Sequence, residues 1–202
     1  MDKGLICFDL DGLYFTAESF ERFKLAIAPN VEKSKRDQVL ALSDEMKQFK
    51  SWKISEEVYR ERAKKELELY CPDEEIYQKL RYSYEVNLKV KKLAKTLKKN
   101  WYKIGICSNN FPTRIRELDI QFHFLDDFDV HVFSYEVWVL KPDSKIFQIL
   151  IDKSGFQAHE IIYSDDKEEK IQWAKSLGIQ TFVFHNFEDF LQDLKNCWVN
   201  VL

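Results

Sequence analysis

The chain has 202 residues, 45% of them apolar and 15% aromatic, with a formal net charge of −3 and a pI near 5.9. That length suits one domain, or one domain carrying a sizeable insertion, and the balance excludes the concentrated basic face of a nucleic-acid binder. No apolar run approaches the span of a membrane helix, the acids of "MDKGLICFDLD" interrupt any secretory leader, and the four scattered cysteines (Cys7, Cys71, Cys107, Cys197) form no C-x-x-C pair. A reduced, cytoplasmic setting is the expectation, with neither zinc nor disulfides and with no membrane or nucleic-acid partner.

In chain order, the first element is "GLICF" (4–8), an apolar run of strand length that ends in Asp9 and Asp11. A long segment follows that reads as helices. "AESFERFKLAIA" spaces Phe20, Phe23 and Ile27 helically and stops at Pro29. "SEEVYRERAKKELELY" has Ser55 as an N-cap with two acids after it. "PDEEIYQKLRYSYEV" spaces Ile76, Leu80 and Tyr84 by four. In "KVKKLAKTLKK", Val90, Leu93, Ala94 and Leu97 share one face, so its lysines read as the wet side of an amphipathic helix.

Four further short runs then alternate with helix-length segments: "KIGIC" (103–107), "DVHVF" (129–133), "IIYS" (161–164) and "QTFVF" (180–184). In "KPDSKIFQILIDKSG", Pro142 suits a first helical position, Asp143 the first turn and Gly155 the stop. Residues 167–177 place acids first and Gly178 last. The alternation predicts an α/β fold, a Rossmann-like three-layer parallel sheet with right-handed crossovers. The expected division is a catalytic core of 1–14 and 91–202 and an all-helical cap of 15–90. A cap leaving the carboxyl end of the first strand sits where ligands bind in open α/β sheets.

The strand ends carry the chemistry. Asp9 and Asp11 end the first, Ser108 and Asn109 the second, Lys141 follows the third, and Asp165 and Asp166 end the fourth. Converging carboxylates repel unless a hard cation joins them, and an all-oxygen set without His or Cys points to Mg2+. Lys141 and Ser108 supply what a phosphate needs, a point charge and a hydroxyl donor. The histidines show no ligand spacing: His131 reads as structural, and His185 follows the fifth strand. Phe49, Trp52 and Tyr59 read as cap core.

At these residues the sequence resembles the haloacid dehalogenase (HAD) superfamily, in its phosphatase branch. "ICFDLDG", "IGICSN", "LKPDSKIF" and "IIYSDDKEEKIQWAKSLGIQTFVF" are similar to the four family motifs in order, and "FDVHVFSYEVWVLKPD" to the family's approach to its lysine. The likeness covers the core; the cap matches in position and helical character, with a short "ISEEVY" echo. The resemblance implies that Asp9 is the nucleophile, that Asp11 is general acid and then base, and that Ser108, Asn109 (through its amide) and Lys141 bind the phosphoryl group. It also implies that Asp9, Asp166, Asp165 and the Asp11 carbonyl surround Mg2+. The implied activity is Mg2+-dependent hydrolysis of a small phosphorylated metabolite through a phospho-aspartate. Asp11 favours phosphoryl transfer, since the dehalogenases lack an acid there. The alternatives are a sugar phosphomutase-type phosphotransferase and a degenerate HAD-like domain that binds without turnover. The chain departs from the family pattern at Leu13, at Trp138, whose bulk is expected to narrow the site entrance, and at Lys170, a cation where Asp or Asn is usual.

Overall fold

A computed structural model describes residues 2–201. Five strands, β1 (Leu5–Phe8), β2 (Lys103–Ser108), β3 (Val130–Phe133), β4 (Ile161–Asp165) and β5 (Gln180–Val183), form one sheet in the order β3-β2-β1-β4-β5, every pair parallel. β1 is central, in register with Lys103–Ile106 on one side and Ile161–Ser164 on the other. All four of its residues are buried because both sheet faces are covered.

The alternation of the pleat divides the core in two. Ile6, Phe8, Ile104 and Ile106 point into one apolar cluster, which includes Val90, Leu93, Ala94 and Leu97 of helix Leu88–Lys99 and Phe190 and Leu194 of helix Phe187–Asn196. Leu5, Cys7, Cys107 and Tyr163 point into the other, against Ile146, Phe147 and Leu150 of helix Ser144–Ser154 and Ile171 and Ala174 of helix Glu168–Ser176. Cys7 and Cys107 are buried free thiols, and burial pushes both thiols up, Cys107 to about 12, so they act as small apolar residues.

Between β1 and β2 lies the helical insertion. In chain order the helices are α1 (Glu18–Ile27), α2 (Lys33–Asp37), α3 (Asp44–Lys50), α4 (Glu56–Glu66), α5 (Asp73–Ser83) and α6 (Leu88–Lys99); a π-helical turn, Gln38–Leu42, joins α2 to α3. Ser55 caps α4, its hydroxyl accepting from the Val58 amide. α5 ends at Ser83, so Tyr84 lies just beyond the helix, yet it is buried. The outgoing and returning chains pair at the base of the insertion, where Thr16 N donates to Glu85 O (3.0 Å) and Asn87 N to Tyr14 O (2.8 Å). α7 (Pro112–Phe122) follows β2 and packs against α5, with an Arg81–Glu117 ion pair across the contact. The remaining helices are α8 (Ser134–Val137), α9 (Ser144–Ser154), α10 (Glu168–Ser176) and α11 (Phe187–Asn196).

Three expectations change. α9 starts at Ser144: Asp143 is its N-cap, accepting from Lys145 N at 2.9 Å, and Pro142 lies outside it after a cis peptide. Pro142 therefore belongs to the lysine loop, whose main chain is held by Asn109, just after β2. Trp138 is 68% exposed at the left-handed end of α8 and does not line the site cleft, because that backbone turns its side chain outward. Trp52 is likewise exposed, whereas Phe49 and Tyr59 are buried and stacked 4.9 Å apart. Among the described residues no helix is long and apolar enough to cross a membrane.

Candidate active site

Parallel pairing brings the carboxyl ends of β1, β2 and β4 to one edge, where Asp9, Asp165 and Asp166 meet the Lys141 ammonium. Asp9, 2% exposed, is the centre. Its amide donates to Ser164 O (2.8 Å), which ties the tip of β1 to β4, and Leu10 N donates to Oδ1 (2.8 Å). The Lys141 ammonium lies 3.0 Å from Oδ1 and that of Lys170 3.3 Å from Oδ2. Burial alone would raise the carboxyl of Asp9; the two ammonium groups overcome it and hold the group well below the usual carboxylate range.

Lys141 is fully buried, which is tolerable for an ammonium only when its donors are used. It donates to Asp165 Oδ2 (2.6 Å) and to the Tyr163 hydroxyl (2.7 Å). Burial pulls its proton off and Asp9 and Asp165 keep it on, the latter winning. Tyr163 in turn donates to Asp165 Oδ2 (2.6 Å). The lysine's main chain is fixed as well: Asn109 accepts from Lys141 N (2.7 Å) and donates to Lys141 O (2.9 Å). Ser108, the last residue of β2, is buried and does not line the cleft; its hydroxyl accepts a long bond from Asn110 Nδ2 (3.5 Å).

Asp9, Asp165 and Asp166 bring one oxygen each within 4.8 Å of one another. Asp166 Oδ1 is a buried oxygen with no hydrogen-bond partner among the described residues. Burial, and then the hydrogen bond with Asp165, push the Asp166 carboxyl up to about 6. Three converging carboxylates, one with an orphaned oxygen, fit a hard divalent cation. Lys170 lies among them, 3.3 Å from Asp165 Oδ1 and 3.7 Å from Asp166 Oδ1. Burial works against its charge, but the three acids hold its proton on more firmly than usual. Asp165 uses its second oxygen to accept from Lys167 N (3.1 Å), so it is the most completely hydrogen-bonded acid of the three.

Asp11, two residues after Asp9, is open to the cleft with a side chain 36% exposed, and Arg114 of α7 pairs with its Oδ2. Between sheet edge and insertion lies a cleft of about 770 Å³ lined by Asp9, Asp11, Arg114, Lys141, Asp166 and Lys170, with Phe20, Lys47 and Lys50 from the insertion side. Lys50 ends α3, and Ser134 Oγ of α8 holds its carbonyl at 2.6 Å. Its ammonium has no ion pair among the described residues, and burial pulls it down to about 8.

Arg114 and Lys50 are the site residues that sequence reasoning misses. Arg114 sits in "PTRIREL" beside Arg116 and looks like a surface residue of an amphipathic helix, and Lys50 closes a short charged helix of the same appearance. His131 is structural, its Nε2 3.2 Å from Leu125 O, and His185 does not line the cleft.

Residues 4–178 match the hydrolase family of haloacid dehalogenase-like hydrolases. The chain belongs to this family. An uncharacterised protein of Dictyostelium discoideum is 30% identical over 118 residues, 46% of this chain and 51% of that one. Bifunctional epoxide hydrolase 2 of Mus musculus is 23% identical over 125 residues, 60% of this chain and 23% of that one. The chain thus spans about half the length of the first relative and under a quarter of the second. A HAD-like hydrolase from Porphyromonas gingivalis superposes with a TM-score of 0.76 at 22% identity, covering 99% of this chain and 100% of that one. A HAD family enzyme from Bacteroides thetaiotaomicron, solved in complex with magnesium and inorganic phosphate, gives 0.73 at 20% identity over 93% and 98%. At such identities the likeness establishes the HAD fold.

Proposed function

We propose that this HAD-like hydrolase is a Mg2+-dependent phosphatase that hydrolyses a small phosphorylated metabolite through a phospho-aspartate on Asp9. The observation that carries the reading is the pairing of a buried, firmly ionised Asp9 with a second carboxylate, Asp11, open to the cleft two residues on. The magnesium and phosphate held by the solved Bacteroides relative support it.

Asp9 attacks phosphorus and the bond to the leaving oxygen breaks; Asp11 delivers a proton to that oxygen. In the second half, water attacks the phospho-aspartate, Asp11 takes the water proton, and Asp9 is released as a carboxylate. Lys141, with Ser108 and the Asn109 amide, binds the phosphoryl oxygens, and its fixed main chain means that little reorganisation is needed. Asp9, Asp166 and the main-chain carbonyl of Asp11 would hold Mg2+, with Asp165 beside them; bound there, the ion neutralises phosphate charge that would otherwise repel the nucleophile. The helical segment 15–90 is the cap, closing the cleft over the substrate and choosing the leaving group.

Lys170 favours a second reading, a domain that binds without turnover, since its ammonium lies among the metal-site acids. Turnover of p-nitrophenyl phosphate separates the two. The wild type should hydrolyse it, Asp9→Asn should lose all activity with an unchanged circular dichroism spectrum, and a chelator should stop the wild type. Unchanged turnover in Asp9→Asn removes the assigned nucleophile, and activity that survives chelation removes the metal.

A further inference from the structure

Arg114 has no part in the chemistry outlined above, yet its side chain is 1% exposed and lies at the cleft. It is the third residue of α7, after Pro112 and Thr113, and its Nη2 donates to Asp11 Oδ2. Its guanidinium carbon stands 4.9 Å from the ring of Phe20, 5.2 Å from Tyr84 and 5.8 Å from Phe111. Two long side chains in an exposed ion pair swing freely, which is why such pairs hold so little. Here three aromatic faces remove that freedom, and a planar guanidinium suits both the stacking and the carboxylate. One oxygen of Asp11 is thereby pinned, and the other is left to face the cleft.

The sleeve has two origins. Phe111 and Arg114 belong to the core, after β2; Phe20 comes from α1 and Tyr84 from the chain returning from α5. It is complete only when the insertion is seated on the core.

We infer that Arg114 is a positioning residue for Asp11 in the second half of the reaction, the hydrolysis of the phospho-aspartate; this rests on the phosphatase reading above. In that step the water oxygen bonds to phosphorus, a water proton passes to the free oxygen of Asp11, and the bond between phosphorus and the Asp9 oxygen breaks with its electron pair returning to Asp9. Inorganic phosphate leaves. Water is activated only where the free oxygen of Asp11 is aimed at it, so this step depends on Arg114 and on the seated insertion. Transfer from a substrate whose leaving group needs no proton does not.

The test uses the full chain with Mg2+ and p-nitrophenyl phosphate, whose leaving group needs no acid, in stopped flow. Arg114→Met should lower kcat on the order of a hundredfold, the scale of a misplaced general base. KM should fall in parallel and kcat/KM should stay close to the wild-type value. A burst of p-nitrophenolate equal to the enzyme should appear, and acid quenching should trap phospho-protein. Arg114→Lys should recover part of kcat. Phe20→Leu, which opens the sleeve and keeps the ion pair, should show the same pattern more weakly, and it carries the test if Arg114→Met does not fold. Parallel loss of kcat and kcat/KM without a burst assigns Arg114 a merely structural role and overturns the inference, as does an unchanged kcat. A wild type that neither turns over nor forms phospho-protein overturns the phosphatase reading, and this inference with it.

Discussion

Replacing Lys170 with asparagine should do two opposite things. Its ammonium lies 3.3 Å from Asp9 Oδ2, 3.3 Å from Asp165 Oδ1 and 3.7 Å from Asp166 Oδ1, with a side chain 21% exposed. With Lys141, it leaves the cluster of three carboxylates only one negative charge in excess; without it the excess is two. The metal-free protein should therefore lose stability. The loss lies between the ~1 kcal/mol of an exposed pair and the ~3 kcal/mol of a broken buried one, so about 2 kcal/mol. For a chain of this length that is a fall in Tm of about 4–8 °C. A divalent ion entering the same cluster must displace the ammonium or stand beside it. At about 4 Å and an effective dielectric of about 20, each unit of its charge is opposed by about 4 kcal/mol. The lysine stem lets the ammonium retreat to water, so the cost that remains is the contacts it gives up, again about 2 kcal/mol. Mg2+ should bind Lys170→Asn roughly thirtyfold more tightly. Differential scanning fluorimetry of chelator-treated protein reads the first effect and titration calorimetry with MgCl2 the second. A variant with wild-type Tm and wild-type Mg2+ affinity would show that Lys170 neither neutralises the acids nor competes with the metal.

The remaining predictions concern protons and the cap. Because Asp166 titrates at about 6 in the metal-free protein, Mg2+ must displace its proton at lower pH. Apparent affinity should weaken about tenfold per pH unit below 6, with close to one proton released at pH 5, measured by calorimetry in buffers of different ionisation enthalpy; constant affinity from pH 5 to 7 would refute this. Lys50, pulled down to about 8, is charged at neutral pH and lines the cleft with no ion pair among the described residues. Inhibition by vanadate should weaken as pH rises through 8, and Lys50→Met should weaken it at pH 7 by about tenfold or more, as for a charged hydrogen bond of ~1.5–3 kcal/mol, while erasing that pH dependence. An equal inhibition constant in the variant would remove Lys50 from the anion site.

The parts of this fold legible in the sequence are those where one local pattern has one physical meaning. The five strands sit where apolar runs of strand length occur, because buried parallel strands need apolar residues on both faces. The site acids and Lys141 announce themselves by following those runs. Arg114 and Lys50 are illegible for the opposite reason: a cation on a helix usually faces water, and only the packing of distant segments buries Arg114 and turns Lys50 to the cleft. Pro142 misleads because Lys-Pro-Asp before a helix fits two placements, and the choice is made by Asn109, far away in sequence.

The two hydrogen bonds between the Asn109 side chain and the main chain of Lys141 make the loop after β2 and the lysine loop a single mechanical part. An amide that touches no reacting atom through its side chain thus governs where the buried ammonium stands. In a mutational scan, Asn109→Ala would imitate the removal of a positive charge while leaving every charge in the protein unchanged.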